Sequence, residues 1–294
     1  MKTKRLSRTH PIAYLMIAPA YLSYVLFILI PVAFTIVASF TNYNMYNTFD
    51  FVGLKNYANM AKDKVFIQSV RNTLVYTLSL FPSLGIALFL ANFLNRKSVL
   101  APLFRTVNYL PNVASMVATS MIWLFILDPV NGLLNQILQA VGLRGGEWLS
   151  DPKKALYCLV AVGMWRSVGY FSVIFQSGIM GIPADLYEAG ELDGANAWKQ
   201  FLHITWPMLR PTTFFLFITG FISCFSVFEQ VNVMTSGGPI NSTTTIVHQI
   251  YRRAFMDFRM GYGSAMAVSL LAITFGMTLL SFRFGSQGND TGTA

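Results

Sequence analysis

Long apolar runs separated by short polar stretches set the pattern of this chain. Pro11 to Phe49, Asn72 to Asn95, Thr106 to Leu127 and Met260 to Phe282 contain no Asp, Glu, Lys or Arg. Ala155 to Gly178 holds one charge, Arg166, and Pro211 to Val233 holds one, Glu229. A helix that crosses a bilayer needs about 20 such residues. The pattern therefore predicts an all-α polytopic membrane protein with six transmembrane helices and both termini on one side. The first run is long enough for one tilted span and a polar exit at Thr41, Asn42, Tyr43 and Asn44. The predicted organisation is a tail at 1–10, a first helix and loop over 11–70, a five-helix core over 71–284 and a tail at 285–294. A loop at 179–211 lies inside the core.

Composition supports the same class. Of 294 residues, 54% are hydrophobic and only 11% charged, against about 25% charged in a soluble domain. Disordered chains are poor in apolar residues, so disorder is excluded. The net charge of +9 sits in short blocks between apolar runs, which suits anionic lipid surfaces better than nucleic acid. Cys158 and Cys224 lie inside apolar runs and form neither a disulfide nor a metal pattern. His10, His203 and His248 fall in three separate segments. No metal site and no nucleophile–base set is expected, so an enzyme is the weakest class. The first run is too long for the apolar core of a cleaved signal.

Orientation follows from Lys and Arg, which accumulate in cytoplasmic loops. The raw count is a tie, ten positives on each side. Lys2, Lys4, Arg5 and Arg8 put four of them in the first ten residues. That density places the N-terminus, and with it the C-terminus and the 179–211 loop, in the cytoplasm.

The 179–211 loop is the informative segment. Ile182-Pro183 reads as a helix start, with Asp185 and Glu188 near its positive end. Asp193-Gly194 breaks that helix, and Asp193 is placed to cap a second. Trp198, Phe201 and Leu202 follow i, i+3, i+4 spacing and give the second helix an apolar face. Trp206-Pro207 is expected to end it. Two short helices joined at a bend, too apolar to lie free in water, predict docking against another protein.

This loop resembles the EAA motif of permease subunits of bacterial ABC importers. Glu188-Ala189-Gly190 opens it, Gly194 matches the family glycine, and Ile204-Thr205-Trp206-Pro207 closes it. Gly190 stands where the family has a third Ala, and Trp206 where it has Leu. Similar segments of sugar and glycerol-phosphate permeases match Gly53-Leu54-Lys55-Asn56-Tyr57, Gly132-Leu133-Leu134-Asn135, Met234 to Thr243 and Gly261 to Ala267. The resemblance implies the type I ABC importer permease fold in a bacterial inner (plasma) membrane. It implies a second permease subunit, giving a heterodimer, two cytoplasmic ATPase subunits and an extracytoplasmic solute-binding protein. ATP and Mg would sit on the ATPase partners and no cofactor on this chain, which lacks a Gly-x-x-x-x-Gly-Lys-Ser/Thr loop. The residues carried over for ATPase coupling are Glu188, Ala189, Gly190, Asp193, Gly194, Trp198, Phe201 and Pro207.

Polar residues recur at helical spacing in several spans. Asn72, Tyr76, Ser79 and Ser83 form one stripe, Asn108, Asn112, Ser115 and Thr119 another, and Thr219, Ser223, Ser226 and Gln230 a third. Small polar residues also join helices in membranes, and for single positions that role is the commoner one. Charges inside spans face cavities or partners, so Arg166 and Glu229 are the strongest candidates. From the expected span ends they differ in depth by ~10 Å, which argues against a direct pair and leaves both to face substrate or a cavity. The predicted path residues are Tyr76, Asn112, Trp165, Arg166, Tyr170, Ser223, Ser226, Glu229, Gln230 and Asn232. The expected function is the translocation path of an importer for a carbohydrate, foremost an oligosaccharide. Glycerol 3-phosphate or another polyol is the alternative solute, and a stand-alone secondary carrier the lower alternative. A carrier would not need the docking loop.

Overall fold

The computed structural model describes residues 11–46, 48–94 and 101–285. Lys2, Lys4, Arg5 and Arg8 of the 1–10 tail, Arg96 and Lys97, and all of the 285–294 tail except Gly285 lie outside the described residues. Helices dominate, and among the described residues the only strand-like pairing is a bridge between Thr41 and Phe51. Five helical stretches are long and apolar enough to cross a membrane, and a sixth forms if one bent pair counts as a span.

Helices α1 (Pro11–Tyr24) and α2 (Ile30–Ala38) flank one π-helical turn. Pro31 has no N–H to donate, and the wider turn before it absorbs the interruption. Leu15, Met16 and Phe27 all point outward, and Tyr14–Ala38 buries none of its apolar window. A helix apolar on every side belongs in lipid. After α3 (Lys55–Lys62), Asp63 caps α4 (Lys64–Leu78) by accepting from the amides of Val65 and Phe66. The second span thus starts at Lys64, ahead of the expected Asn72. Pro82, in the first turn of α5 (Leu80–Leu94), accounts for the break between α4 and α5.

The third run departs from expectation. Thr106 to Leu127 is not one straight span but lies in α6 (Ala101–Val113) and α7 (Met116–Ile126), bent by 101°. Pro111 weakens the last turns of α6, and Ser115, extended at ψ 135°, redirects the chain. The short α8 (Leu133–Ala140) follows, organised by buried Asn135. Its amide donates to the carbonyls of Pro129 and Gly146, and its oxygen accepts from Gly146 N–H and Trp148 Nε1. Next come α9 (Ala155–Met180), α10 (Ala184–Leu192), α11 (Ala197–Gln200), a π-helical turn at Phe201–Thr205, α12 (Trp206–Met208), α13 (Arg210–Phe225) and α14 (Glu229–Met234). The expected fifth span is therefore interrupted at Ser226 to Phe228. The carbonyl of Val227 at that break is taken by the Thr245 hydroxyl at 2.8 Å. The chain ends with α15 (Ile246–Tyr251), a π-helical turn and α16 (Met260–Gly285).

Two compact units divide the chain: the part up to Met60 with Ile250–Ser269, and Ala61–Gln249 with the part from Leu270. In the first, Asn56 donates to the carbonyls of Ser39 and Thr41, and the Gly261 amide donates to Tyr43 O. In the second, α4, α5, α9 and α13 enclose a core of Leu80, Leu84, Phe171, Phe175 and Leu216. A smaller core of Leu127, Leu159, Val162 and Val231 lies beside it.

Helix α9 is the axis of this unit because its neighbours reach its backbone. A Cβ on Gly169 would stand 2.0 Å from the carbonyl oxygen of Asn108 on α6. Asn108 also donates to Ser172 Oγ at 2.7 Å. Small residues let helices meet this closely in a membrane. Gly169→Ala must push a backbone carbonyl aside, a cost of about 1–3 kcal/mol for overpacking. We expect a clearly lower unfolding temperature in detergent, with Gly85→Ala, which meets nothing within 4 Å, close to the parent. Equal melting of the two variants would remove the α6–α9 approach as a determinant of the fold.

Candidate functional site

Two adjoining polar cavities lie against α9 in the larger unit. One, of about 380 Å³, is lined by Arg166, Met116, Ser226 and Glu229 among others. The second, of about 330 Å³, is lined by Asn112, Tyr170, Phe171 and Thr219. They share Arg166, Ser167 and Ser223, which makes them one cleft with Arg166 at its waist. Helical spacing builds both walls. Gly163, Arg166, Ser167 and Tyr170 fall on one face of α9, and Thr219, Ser223 and Ser226 follow the corresponding face of α13 and its cap.

Eight of the ten predicted path residues line this cleft: Tyr76, Asn112, Arg166, Tyr170, Ser223, Ser226, Glu229 and Gln230. They differ in what their polar atoms do. Tyr76 donates its hydroxyl to Gln230 Oε1 at 2.9 Å, and Gln230 donates to the Leu159 carbonyl at 2.6 Å. Both side chains are buried, and the bonds tie α4, α9 and α14 together. Asn112 donates to the main-chain oxygen of Arg166 at 2.8 Å, so it holds the α6 end against α9. Ser223, Ser226 and Glu229 are exposed, and their side chains make no hydrogen bond within the chain among the described residues. These three present open polar groups to the cleft.

Trp165 and Asn232 do not line it. Trp165 is turned away from its neighbour Arg166 and packs edge-on against Trp123, with centroids 5.5 Å apart. Ser167 and Thr219 line the cleft but were not among the predicted path residues. Ser167 follows Arg166 directly and lies within one turn of Tyr170, so helical spacing around the charge was its signal.

Arg166 and Glu229 face the same cavity without forming an ion pair, as the depth argument expected. The break before α14 makes Glu229 the first residue of a new helix rather than part of a continuous span. The turn after α14 uses its own groups: Gly238 N donates to Thr235 O, and Thr243 Oγ1 donates to Gly238 O. Glu229 accepts from neither of these groups. Asn72 and Thr73 of α4 bond the same region through Thr244 O and Ile246 N.

The 179–211 segment forms a second feature. Pro183 caps α10, with Asp185 in its first turn. The bend needs Gly194 for its backbone, not for space: φ is +75°, and a Cβ there would meet nothing within 4 Å. Ala195 N donates to Gly190 O at 2.8 Å and closes the helix end. Two expectations are corrected. Asp193 ends α10, and the second helix is capped by Asn196, whose side chain accepts from Lys199 N. Trp206-Pro207 does not stop that helix. A π-helical turn ahead of Pro207 accommodates its missing N–H, and helical chain continues through α12 to α13.

Contacts fix the pair internally while leaving an apolar surface outside. Tyr187 and Thr205 share a hydroxyl hydrogen bond of 2.9 Å, and a Cβ on Gly190 would come within 3.1 Å of Ile204 Cδ1. The missing methyl of the third motif residue is thus what lets Ile204 approach. Phe201 packs against the main core and stacks on Trp198. Trp198 is still 66% exposed and Leu192 90% exposed. Glu188 and Ala189 lie on the exposed surface of α10.

Comparison with known proteins gives this arrangement a family. Residues 72–285 match the model described as binding-protein-dependent transport system inner membrane component. AmyD of Thermoanaerobacterium thermosulfurigenes, a probable starch degradation products transport system permease, is 36% identical over 88% of this chain and 89% of its own. UgpA of Agrobacterium fabrum, an sn-glycerol-3-phosphate transport system permease, is 31% identical over 92% of this chain and 93% of its own. A chain in the structure of a bacterial alginate ABC transporter, in complex with an alginate-pentasaccharide-bound periplasmic protein, shares the fold. Its TM-score is 0.85 at 23% identity, over 96% of both chains. Apolar spans, a broken fifth helix and a bent helical pair between α9 and α13 are thus the parts of an ABC importer permease, and the chain belongs to the family of binding-protein-dependent transport system inner membrane components.

Proposed function

We propose that this subunit forms the translocation path for a carbohydrate in an ATP-driven importer, and that the cleft around Arg166 is part of that path. The observation that carries this reading is the set of open hydroxyls and one carboxylate, Ser223, Ser226 and Glu229, facing a cavity between otherwise apolar helices. Sugars offer many hydroxyls, each hydrogen bond worth about 1 kcal/mol net. Tyr170 adds an aromatic edge to the cleft. A second permease subunit completes the path in a heterodimer, and a solute-binding protein delivers the sugar from outside. Starch degradation products are named for one relative, which supports an oligosaccharide.

Coupling falls to the bent pair α10 and α11. Leu192 and Trp198 present apolar surface to the cytoplasm for a groove on one of the two ATPase subunits, which bind ATP and Mg. The N- and C-termini lie on that same side. Glu188, Ala189, Gly190, Asp193, Gly194, Trp198, Phe201 and Pro207 shape this contact.

Three outcomes follow. Gly194→Val, which strains the bend at positive φ by about 1 kcal/mol or more, should leave the subunit in the membrane. It should also cut ATP-driven uptake at least tenfold, and full uptake would defeat the coupling role. In a background without Cys158 and Cys224, Leu192→Cys should react with an impermeant thiol reagent only from the cytoplasmic face. Ile240→Cys should react only from outside, and the reverse pattern inverts the topology. Glu229→Gln weakens a charge-assisted hydrogen bond by roughly 1 kcal/mol. Uptake should fall about fivefold while the ATPase subunits still co-purify. Unchanged uptake removes Glu229 from the path.

A further inference from the structure

The geometry points to Arg166 as an anion-recognition residue: we propose that the carried solute bears a carboxylate or phosphate group that passes this guanidinium. The inference rests on the transport reading above and adds the charge of its substrate.

Arg166 lies near the middle of the 26-residue helix α9, at the waist shared by both cavities. Its backbone is pinned by Asn112, so its Cα is a fixed point of the cleft. Its head is not pinned by any anion. Among the described residues no carboxylate reaches it; the ion pairs formed are Lys154–Asp151 and Arg253–Asp257. Nη1 meets only the thioether of Met116 at 3.2 Å, and sulfur is a weak acceptor. Nε is buried without any hydrogen-bond partner.

Such a group is expensive. An arginine in a span cannot escape by losing its proton, and charges at that depth pair or face a wet cavity. A buried donor left unsatisfied keeps its desolvation cost uncompensated. Buried arginines that hold a fold together are paired through the guanidinium head. This one is kept charged, open to the cleft and half-satisfied, the state that a bidentate carboxylate or phosphate oxygen pair relieves. The remaining charge facing the cleft is Glu229, which lines the 380 Å³ cavity and not the other. Its sign repels a second anion there and welcomes hydroxyls. The cleft is thus graded: one acidic group at Arg166, and hydroxyls of the same solute toward Ser223, Ser226 and Glu229. An acidic oligosaccharide or a phosphorylated polyol fits this order, and a neutral sugar leaves Arg166 unpaired.

The test uses the complete importer with its binding protein in proteoliposomes loaded with ATP. The probes are trigalacturonate, glycerol 3-phosphate and neutral maltotriose. We expect uptake of one of the two anionic probes, which also tells a carboxylate from a phosphate source, and little of maltotriose. Arg166→Gln should raise the KM for that probe about tenfold or more, the loss of a charge-assisted contact. Arg166→Lys, which keeps the charge without the fork, should recover part of it. A purely structural arginine would change assembly, read by co-purified ATPase subunits, without this graded KM. Uptake of maltotriose but of neither anionic probe overturns the proposal and leaves the importer reading standing. Uptake of no anionic probe likewise overturns it. A KM for the anionic probe unchanged in Arg166→Gln also overturns it, and a variant that fails to assemble leaves the wild-type panel to decide. Failure of any ATPase subunit to co-purify with the wild-type chain counts against the importer reading itself.

Discussion

Polar groups in the apolar interior must find partners within the chain, and the fold of the larger unit depends on that demand. In hydrocarbon each unsatisfied group costs several kcal/mol. The Gln230 side chain meets it twice, accepting from Tyr76 and donating to the Leu159 carbonyl. Those two bonds cross from α4 to α14 to α9. Asn112 on Arg166 O and Asn108 on Ser172 do the same between α6 and α9. Remove these bonds and the helices retain only packing, which in lipid carries little hydrophobic drive.

The site is what remains after that accounting. Its walls hold polar residues of two kinds, side by side on the same helix faces. Some spend their groups on the scaffold, as Tyr76, Asn112 and Gln230 do. Others, Ser223, Ser226, Glu229 and the head of Arg166, do not. The second kind stays open because breaks occur beside it. The bend after α6 and the interruption at Ser226 to Phe228 part neighbouring helices and leave room between them. At the second break the Val227 carbonyl is taken by the Thr245 hydroxyl. Irregular backbone at membrane depth is tolerated where it lines a cavity.

The 179–211 segment follows a different logic. Its two helices are held to each other by Tyr187 on Thr205 and by Ile204 against Gly190, and to the core by Phe201. Trp198 and Leu192 are left outside. A rigid pair with an apolar outer surface transmits displacement to whatever it docks on, whereas a loose loop would absorb it. The helical continuity from α11 through Pro207 into α13 then links that surface to the wall of the cleft.

The amino-acid sequence by itself determined the class, the placing of the apolar runs and the bend at Gly194. Apolar length, charge spacing and a single glycine at positive φ are local properties, and period and composition report them directly. It also singled out Arg166 and Glu229, which the structure places on one cleft, because a lone charge in an apolar run has few places to go. Only the tertiary structure decided which polar residues are spent and which are open. Tyr76 and Ser223 look alike on a helical stripe, yet one donates to Gln230 across the sequence and the other faces the cleft. The same holds for Trp165, turned to Trp123, and for Asn196 capping in place of Asp193. Partners distant in sequence leave no periodic trace, so the assignment of each hydrogen bond had to wait for the helices to meet.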